Sequence, residues 1–129
     1  MKTHHVGIIV DSIEKDTELY KKLGYQQIGE PVNDMNQFNR ILFLTNSLDG
    51  SRIELIEALD DRSSVINLPQ GYAHICYETE DLDAAIEDLK REKIGVVFTK
   101  ILVAPAIDNR SVVFAYLKNK TIIEFVEKV

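Results

Sequence analysis

The sequence predicts an α+β fold built from two copies of a β-α-β-β-β module. The first observation behind this prediction is a motif that occurs twice: Ile53–Glu57 and Ile123–Glu127 each place a carboxylate, Glu54 or Glu124, inside a run of large apolar residues. Strand side chains alternate between faces, so each carboxylate points away from its apolar neighbours. A carboxylate in an apolar strand is costly unless it is paired, hydrogen-bonded or bound to a metal. The copies lie 70 positions apart (124 − 54), so we expect one chemical reason for both.

The second observation is the register of the repeat. His5 aligns with His74 at an offset of 69 (74 − 5), and Arg40–Leu44 aligns with Ser111–Ala115 at an offset of 71 (111 − 40). An offset that drifts by only two residues, while strand and helix signals agree, indicates an internal repeat. Neither half has enough apolar surface for a robust core of its own, so we expect the two modules to pack together.

Module 1 opens with a strand pattern that is followed by a helix pattern. β-branched residues predict a strand at His4–Val10, and Asp11 or Ser12 is a suitable N-cap for a helix that ends near Leu23, before Gly24. Helical spacing predicts one packed face for this helix, made of Ile13, Thr17, Tyr20 and Leu23. Further strands are predicted at 25–29, 40–45 and 53–57, with a polar loop at 31–39 and an Asp-Gly hairpin turn at 49–50.

Residues 58–71 have the composition of a loop and divide the modules. We predict a single domain over 1–129, with module 1 at about 1–60 and module 2 at about 72–129. In module 2 the order repeats. Strands are predicted at 73–79, 95–101, 111–117 and 121–127, loops at 104–109 and 118–120, and a helix from Glu80 or Asp81 to about Glu92.

Composition narrows the class of protein. The net charge of −6 argues against a nucleic-acid surface, and no apolar run approaches the length of a membrane span. The single cysteine, Cys76, excludes an internal disulfide and fits a reducing compartment. The N-terminal residues enter a strand pattern directly and leave no room for a signal peptide, so we expect a cytoplasmic protein. Homodimers are common among small proteins, and we expect one here.

The repeat selects two histidines and two glutamates, each the odd polar residue in an apolar strand. Two imidazoles and two carboxylates suit a divalent ion such as Zn, Ni, Co or Mn. The alternative is that the glutamates lie on the solvent-facing side of half-exposed strands. The predicted ligands are His5, Glu54, His74 and Glu124.

Two neighbouring residues could be confused with ligands. His4 lies on the opposite face of its strand from His5, and the repeat favours His5 because position 73 is an alanine. Cys76 shares the face of His74 by parity, but cysteine is commonly a small buried apolar residue. We therefore interpret Cys76 as part of the wall of the site.

Several segments resemble the vicinal oxygen chelate superfamily of glyoxalases, bleomycin-resistance proteins and extradiol dioxygenases. Within it the chain looks similar to methylmalonyl-CoA epimerase-like and lactoylglutathione lyase-like proteins. The segments are His5–Val10, Arg52–Glu57, Tyr72–Glu78, Ala104–Arg110 and Thr121–Glu127. The resemblance implies a cup formed by two modules, each a curved mixed sheet with a helix on its outer face. It also implies a divalent metal at the base of the cup, held by the same four residues that the repeat selects.

The resemblance further implies a metal-dependent lyase, isomerase or epimerase that abstracts a proton next to a carbonyl of a thioester or 2-oxo compound. In lyase-like members a ligating glutamate doubles as the base, which here means Glu124 or, second, Glu54. Epimerases use a separate carboxylate before the third strand, where this chain has Met35–Gln37, preceded by Asp34. The alternative is a metal-independent protein of the same fold that binds drugs or other small molecules.

A substrate with a carboxylate or phosphate needs a cation nearby. Arg110 follows a loop and starts a strand, which makes it our first candidate for substrate binding. Arg52 shares the face of Glu54 and is the second. Either arginine could instead be a solvated residue at the rim.

Overall fold

Both halves of the chain form the module that the sequence predicts. The structure, a computed structural model, describes residues 1–129. It contains nine strands, two α-helices and one short 3₁₀ turn. In chain order these are β1 Lys2–Ile9, α1 Ile13–Lys21, β2 Tyr25–Asp34, β3 Asn39–Asn46, β4 Arg52–Ala58, β5 Gly71–Thr79, α2 Leu82–Arg91, β6 Gly95–Val97, β7 Leu102–Ala104, the 3₁₀ turn Pro105–Ile107, β8 Arg110–Leu117 and β9 Ile122–Glu127.

The chain divides into two compact units, an N-terminal unit of residues 5–73 and a C-terminal unit of residues 1–4 with 74–129. In the N-terminal unit the strand order is β2-β3-β4-β1, with β1 parallel to β4 and the other pairs antiparallel. The C-terminal unit has the equivalent order β6-β8-β9-β5, in which β5 is parallel to β9. The short strand β7 pairs with β8 as well. This arrangement confirms the predicted α+β class and the two β-α-β-β-β modules.

Each unit has one helix packed on one face of its sheet, over a small apolar core. The core of the N-terminal unit consists of Val10, Ile13, Leu42, Leu44, Ile53 and Leu55. The core of the C-terminal unit consists of Leu82, Ala85, Leu89, Val113, Ala115, Ile123 and Phe125. Because neighbouring strand residues point to opposite faces, Glu54 and Glu124 lie on the face turned away from the helix.

Matching polar residues start the two helices. Ser12 and Asp81 are the N-caps, and their side chains accept hydrogen bonds from N–H groups three residues further on. The first helical N–H of α1 donates to Glu57 and that of α2 donates to Glu127, both at 2.9 Å. The second glutamate of each repeated motif therefore satisfies a backbone donor that the helix leaves unpaired.

The first helix ends earlier than predicted. α1 stops at Lys21, and Gly24 turns the chain with a φ of +97°, a conformation that favours glycine. Leu23 lies beyond the helix and is exposed, so its predicted place on the packed face is wrong. The helices have nine and ten residues, and neither is long and apolar enough to cross a membrane.

The polar loop predicted at 31–39 is shorter than expected, because β2 continues into it and β3 begins at its last residue. β2 continues to Asp34, and its pairing with β3 shifts register between Ile28 and Val32. Gly29, with a φ of +65°, lies in this irregularity. A bulge lets a strand continue past residues that would otherwise end it, which is why the polar composition misled the prediction.

The single strand predicted at 95–101 is interrupted instead. Only its first three residues form a strand, β6; residues 98–101 leave the regular ladder, and the next strand, β7, begins beyond the predicted range at Leu102. There the hydroxyl of Thr99 accepts from the N–H of Phe114 at 3.1 Å, while the N–H of Phe98 donates to the carbonyl of Phe114 at 3.0 Å. A side chain thus replaces one backbone acceptor, an exchange that periodicity cannot reveal.

Candidate functional site

The N-terminal unit brings one histidine next to one glutamate. β1 carries His5 and β4 carries Glu54, and the parallel register sets Gly7 beside Glu54. His5 therefore lies two residues away along the same face. Its Nε2 is 3.4 Å from Oε1 of Glu54, and both residues are buried.

The C-terminal unit contains the equivalent pair. β5 carries His74 and β9 carries Glu124, with Cys76 directly beside Glu124 in the parallel register. Nε2 of His74 is 3.1 Å from Oε1 of Glu124. The pairing uses the same ring nitrogen and the same kind of oxygen as the first pair, so the repeat extends to individual atoms.

The burial of Glu54 and Glu124 excludes the interpretation that these side chains face solvent on half-exposed strands. Glu54 is 6% exposed and Glu124 is 2% exposed, so neither side chain faces solvent on a half-open strand. Buried carboxylates need a compensating partner, and an imidazole or a metal ion can provide one. The solvent-facing alternative is therefore wrong.

The distances within the pairs fit shared ligation. Two ligands that each lie about 2.1 Å from one ion are about 3.0 Å apart at a right angle and about 3.4 Å apart at the tetrahedral angle. The observed separations of 3.4 Å and 3.1 Å match these values. All four residues are of types that bind metal ions.

Each pair also has a phenylalanine that the sequence prediction did not use. The ring of Phe43 meets His5 edge-on, with centroids 5.0 Å apart, and the ring of Phe114 meets His74 in the same way at 5.5 Å. The signal was present in the repeat, because Phe43 and Phe114 align at an offset of 71 (114 − 43).

His4 and Cys76 are both buried. Cys76 forms no disulfide, and its Sγ lies 4.0 Å from the carbonyl oxygen of Tyr77. Cys76 lies in register with Glu124 on the neighbouring strand.

Arg110 is held by an acidic partner. Its Nη1 donates to Oε2 of Glu78 at 2.8 Å, and both side chains are mostly buried. This hydrogen bond, helped by the nearby charges of His4 and Lys2, lowers the pKa of Glu78 below its usual value. The Nε of Arg110 is buried and has no hydrogen-bond partner, which leaves one donor of the guanidinium available to an acceptor. Arg52, the second candidate, is half-buried on the face of Glu54.

Asp34 lies at the end of β2 and is buried. One carboxylate oxygen accepts from the N–H groups of Asn36 and Gln37, and the other accepts from the side-chain amide of Gln37. Burial nevertheless raises the pKa of Asp34, and the negative charge of Glu54 adds to the increase. The carboxylate is thus fixed by its own turn, within the electrostatic reach of a candidate ligand.

Residues 4–114 match the Glyoxalase/Bleomycin resistance protein/Dioxygenase superfamily. The chain belongs to this superfamily. The membership confirms the resemblance inferred from the repeated segments, and it covers both histidines of the candidate site.

Two relatives of the chain are named as acyl-CoA epimerases. The chain is 28% identical over 101 residues to the mitochondrial methylmalonyl-CoA epimerase of Dictyostelium discoideum, covering 74% of this chain and 60% of that protein. It is 31% identical over 94 residues to the ethylmalonyl-CoA/methylmalonyl-CoA epimerase of Cereibacter sphaeroides, covering 69% of each. The match therefore spans less than two thirds of the Dictyostelium relative.

The fold is shared with solved structures of other proteins. Methylmalonyl-CoA epimerase from Mycobacterium tuberculosis superimposes with a TM-score of 0.84 at 24% sequence identity, covering 99% of this chain and 88% of that one. At this level of identity the similarity establishes the fold alone.

Proposed function

We propose that the chain is a metal-dependent epimerase or isomerase whose single divalent ion is bound by both His–Glu pairs. The observation that carries this proposal is the duplicated, buried contact between Nε2 of a histidine and Oε1 of a glutamate, at 3.4 Å and 3.1 Å. The four ligands would be His5, Glu54, His74 and Glu124. Mixed nitrogen and oxygen ligation suits Zn, Ni, Co or Mn.

The proposed chemistry is removal and return of the proton on the carbon next to a carbonyl. A bound divalent ion would supply Lewis acidity toward the carbonyl oxygen. Glu124 would accept the proton as general base, and the electron pair of the broken C–H bond would move into the carbonyl group. The same carboxyl group, now protonated, would return the proton to carbon. Glu54 is the second candidate for this role.

The similarity to two acyl-CoA epimerases supports a thioester substrate that carries a second acidic group. Arg110 would bind that anionic group. Support for this role comes from its Nε, a buried donor that lacks a partner, while Glu78 fixes the other edge of the guanidinium. A planar two-pronged contact of this kind is specific to arginine.

Proton exchange in heavy water tests the reaction. Metal-loaded protein should exchange the proton next to the carbonyl of methylmalonyl-CoA or of another thioester or 2-oxo compound, and a chelator should stop the exchange. Glu124→Gln removes basicity with little change of shape, so exchange should fall by about 10²-fold. Glu80→Gln, at an exposed glutamate, is the matched control.

Metal content must be measured in each variant, because weaker metal binding would cause the same loss. If Glu124→Gln retains its metal and full exchange, the base is elsewhere and Asp34→Asn is the next variant to test. If no compound exchanges but one binds tightly without turnover, the protein is a binding member of the superfamily.

The role of Arg110 has its own test. Arg110→Lys keeps the charge next to Glu78 but loses the planar contact, so KM should rise about tenfold while the melting temperature barely moves. Arg91→Lys, at an exposed arginine paired with Asp88, is the control. A large loss of stability with unchanged KM would make Arg110 a structural residue.

We also propose that the protein is a cytoplasmic homodimer, because a single cysteine that forms no disulfide fits a reducing compartment and homodimers are common among small proteins. Analytical ultracentrifugation tests the dimer. A single species at the mass of one chain would contradict it.

A further inference from the structure

The two phenylalanines next to the histidines have the same geometry in both units. The planes of Phe43 and His5 meet at 79°, and those of Phe114 and His74 meet at 87°. Edge-on contacts at these centroid distances are favourable arrangements for aromatic rings. The arrangement recurs although the units differ in most other side chains.

Strand register explains how each phenylalanine reaches its histidine. Phe43 on β3 lies directly opposite Glu54 on β4, and Phe114 on β8 lies directly opposite Glu124 on β9. Residues that face each other across antiparallel strands share a face of the sheet. Each unit therefore presents a histidine, a glutamate and a phenylalanine from three strands on the face turned away from its helix.

We infer that Phe43 and Phe114 are positioning residues that hold the imidazole planes of His5 and His74. The inference rests on the proposed function, in which both histidines are metal ligands. Rotation about the bond to a histidine ring has broad, roughly two-fold preferences. A ring whose plane is not constrained therefore points its Nε2 in a range of directions, and only some of them suit a metal ligand.

An aromatic ring packed edge-on against the imidazole narrows the range of planes that the imidazole can take. Outer residues that orient ligands are a general requirement of metal sites, and their mutation costs about 10- to 100-fold in metal affinity. A phenylalanine has no polar atom to offer, so we expect an effect at the lower end of this range.

The experiment compares Phe114→Leu with Phe43→Leu. Leucine keeps an apolar side chain but removes the flat ring. Long-range ¹H–¹⁵N spectra of the metal-free proteins at one fixed pH report the ring environment of each histidine, and competition with a chelating dye reports zinc affinity. Phe114→Leu should change the signals of His74 and leave those of His5 in place, and Phe43→Leu should change those of His5 and leave those of His74 in place. Each variant should bind zinc about tenfold more weakly than the wild type.

Two further variants separate positioning from packing. Phe125→Leu changes a buried phenylalanine of the helix-side core and should lower the melting temperature without altering zinc affinity. Phe114→Tyr keeps an aromatic ring and should restore zinc affinity to within about twofold.

The inference is overturned if Phe114→Leu lowers the melting temperature but leaves the His74 signals and zinc affinity unchanged. If the wild-type protein binds no zinc or other divalent ion, the proposed function fails. The spectra of the metal-free proteins then still show whether each phenylalanine orients its histidine.

Discussion

The two units share a strand order but differ at the polar ends of their sheets. In the N-terminal unit Asn39 at the start of β3 faces Asp34, within a network that includes Ser63. The equivalent position in the C-terminal unit is Arg110, at an offset of 71 (110 − 39), and it is paired with Glu78. The sheet of the N-terminal unit thus ends in a carboxylate and an amide, and the sheet of the C-terminal unit ends in an arginine–glutamate ion pair.

Other residues are the same in both units, in contrast to these divergent ends of the sheets. Both units keep the buried histidine, the buried glutamate, the phenylalanine across the ladder and the glutamate that caps the helix. The duplicated residues are those on which the proposed metal site and the starts of the helices depend. The residues that diverge are those that could tell one substrate from another, so we expect selectivity to depend on the ends of the sheets.

The largest expected effect tests whether the units contribute equally to metal binding. His74→Ala and His5→Ala should each lower zinc affinity by more than about 100-fold, because even outer-shell partners cost 10- to 100-fold. His4→Ala should change it less than about twofold. Isothermal titration calorimetry gives all three values. Equal losses for His4→Ala and His5→Ala would show that the register is wrong by one residue.

The second prediction concerns the ion pair found in only one unit. Glu78 faces Arg110, His4 and Lys2, and its pKa is lowered when the protein is folded. It therefore stabilises the fold above the unfolded pKa of about 4.5, and this contribution disappears as the pH falls through the lower folded value. Glu78→Gln should lower the free energy of unfolding by about 1.5–3 kcal/mol at pH 7.

Urea unfolding from pH 7 down to pH 3 measures this dependence. The difference between the wild type and Glu78→Gln should shrink as the pH falls below about 4.5. Glu80→Gln, which affects an exposed ion pair with Lys128, should show a small difference at every pH. A pH-independent difference for Glu78→Gln would mean that its contribution is packing.

The smallest expected effect sharpens the comparison of the helix starts. Glu127→Ala leaves the first N–H of α2 without its acceptor and should cost about 1 kcal/mol of stability. Glu57→Ala should cost slightly more, because Glu57 also lies 3.7 Å from Arg40 while the C-terminal unit has Ser111 at the corresponding position. Thermal unfolding of both variants provides the comparison. A larger loss for Glu127→Ala would reverse this ranking.

Much of the module could be predicted because its signals are local or repeated. Alternation placed Glu54 and Glu124 on the face away from the core, and N-cap chemistry located both helix starts. The extension of β2 to Asp34 could not be predicted, because a bulge and pairing with β3 override its polar composition.

The side chains that contact the predicted residues could not be predicted from the sequence either. Arg110 was selected as a cation after a loop, but its pairing with Glu78 joins positions 32 residues apart. The edge-on contact of Phe114 with His74 depends on the register of three strands. The repeat marks Phe43 and Phe114 as equivalent positions, but which side chain each one meets follows only from the assembled sheet.

The grouping of residues 1–4 with residues 74–129 has a consequence for synthesis on the ribosome. Residues 5–73 form one continuous stretch, so all parts of the N-terminal unit are available once that stretch has emerged. Residues 1–4 emerge before that stretch, yet their unit is complete only when β9 has been made. Contacts that close such a long loop are slow to form. Residues 1–4 are therefore made before the N-terminal unit but reach their final places after it.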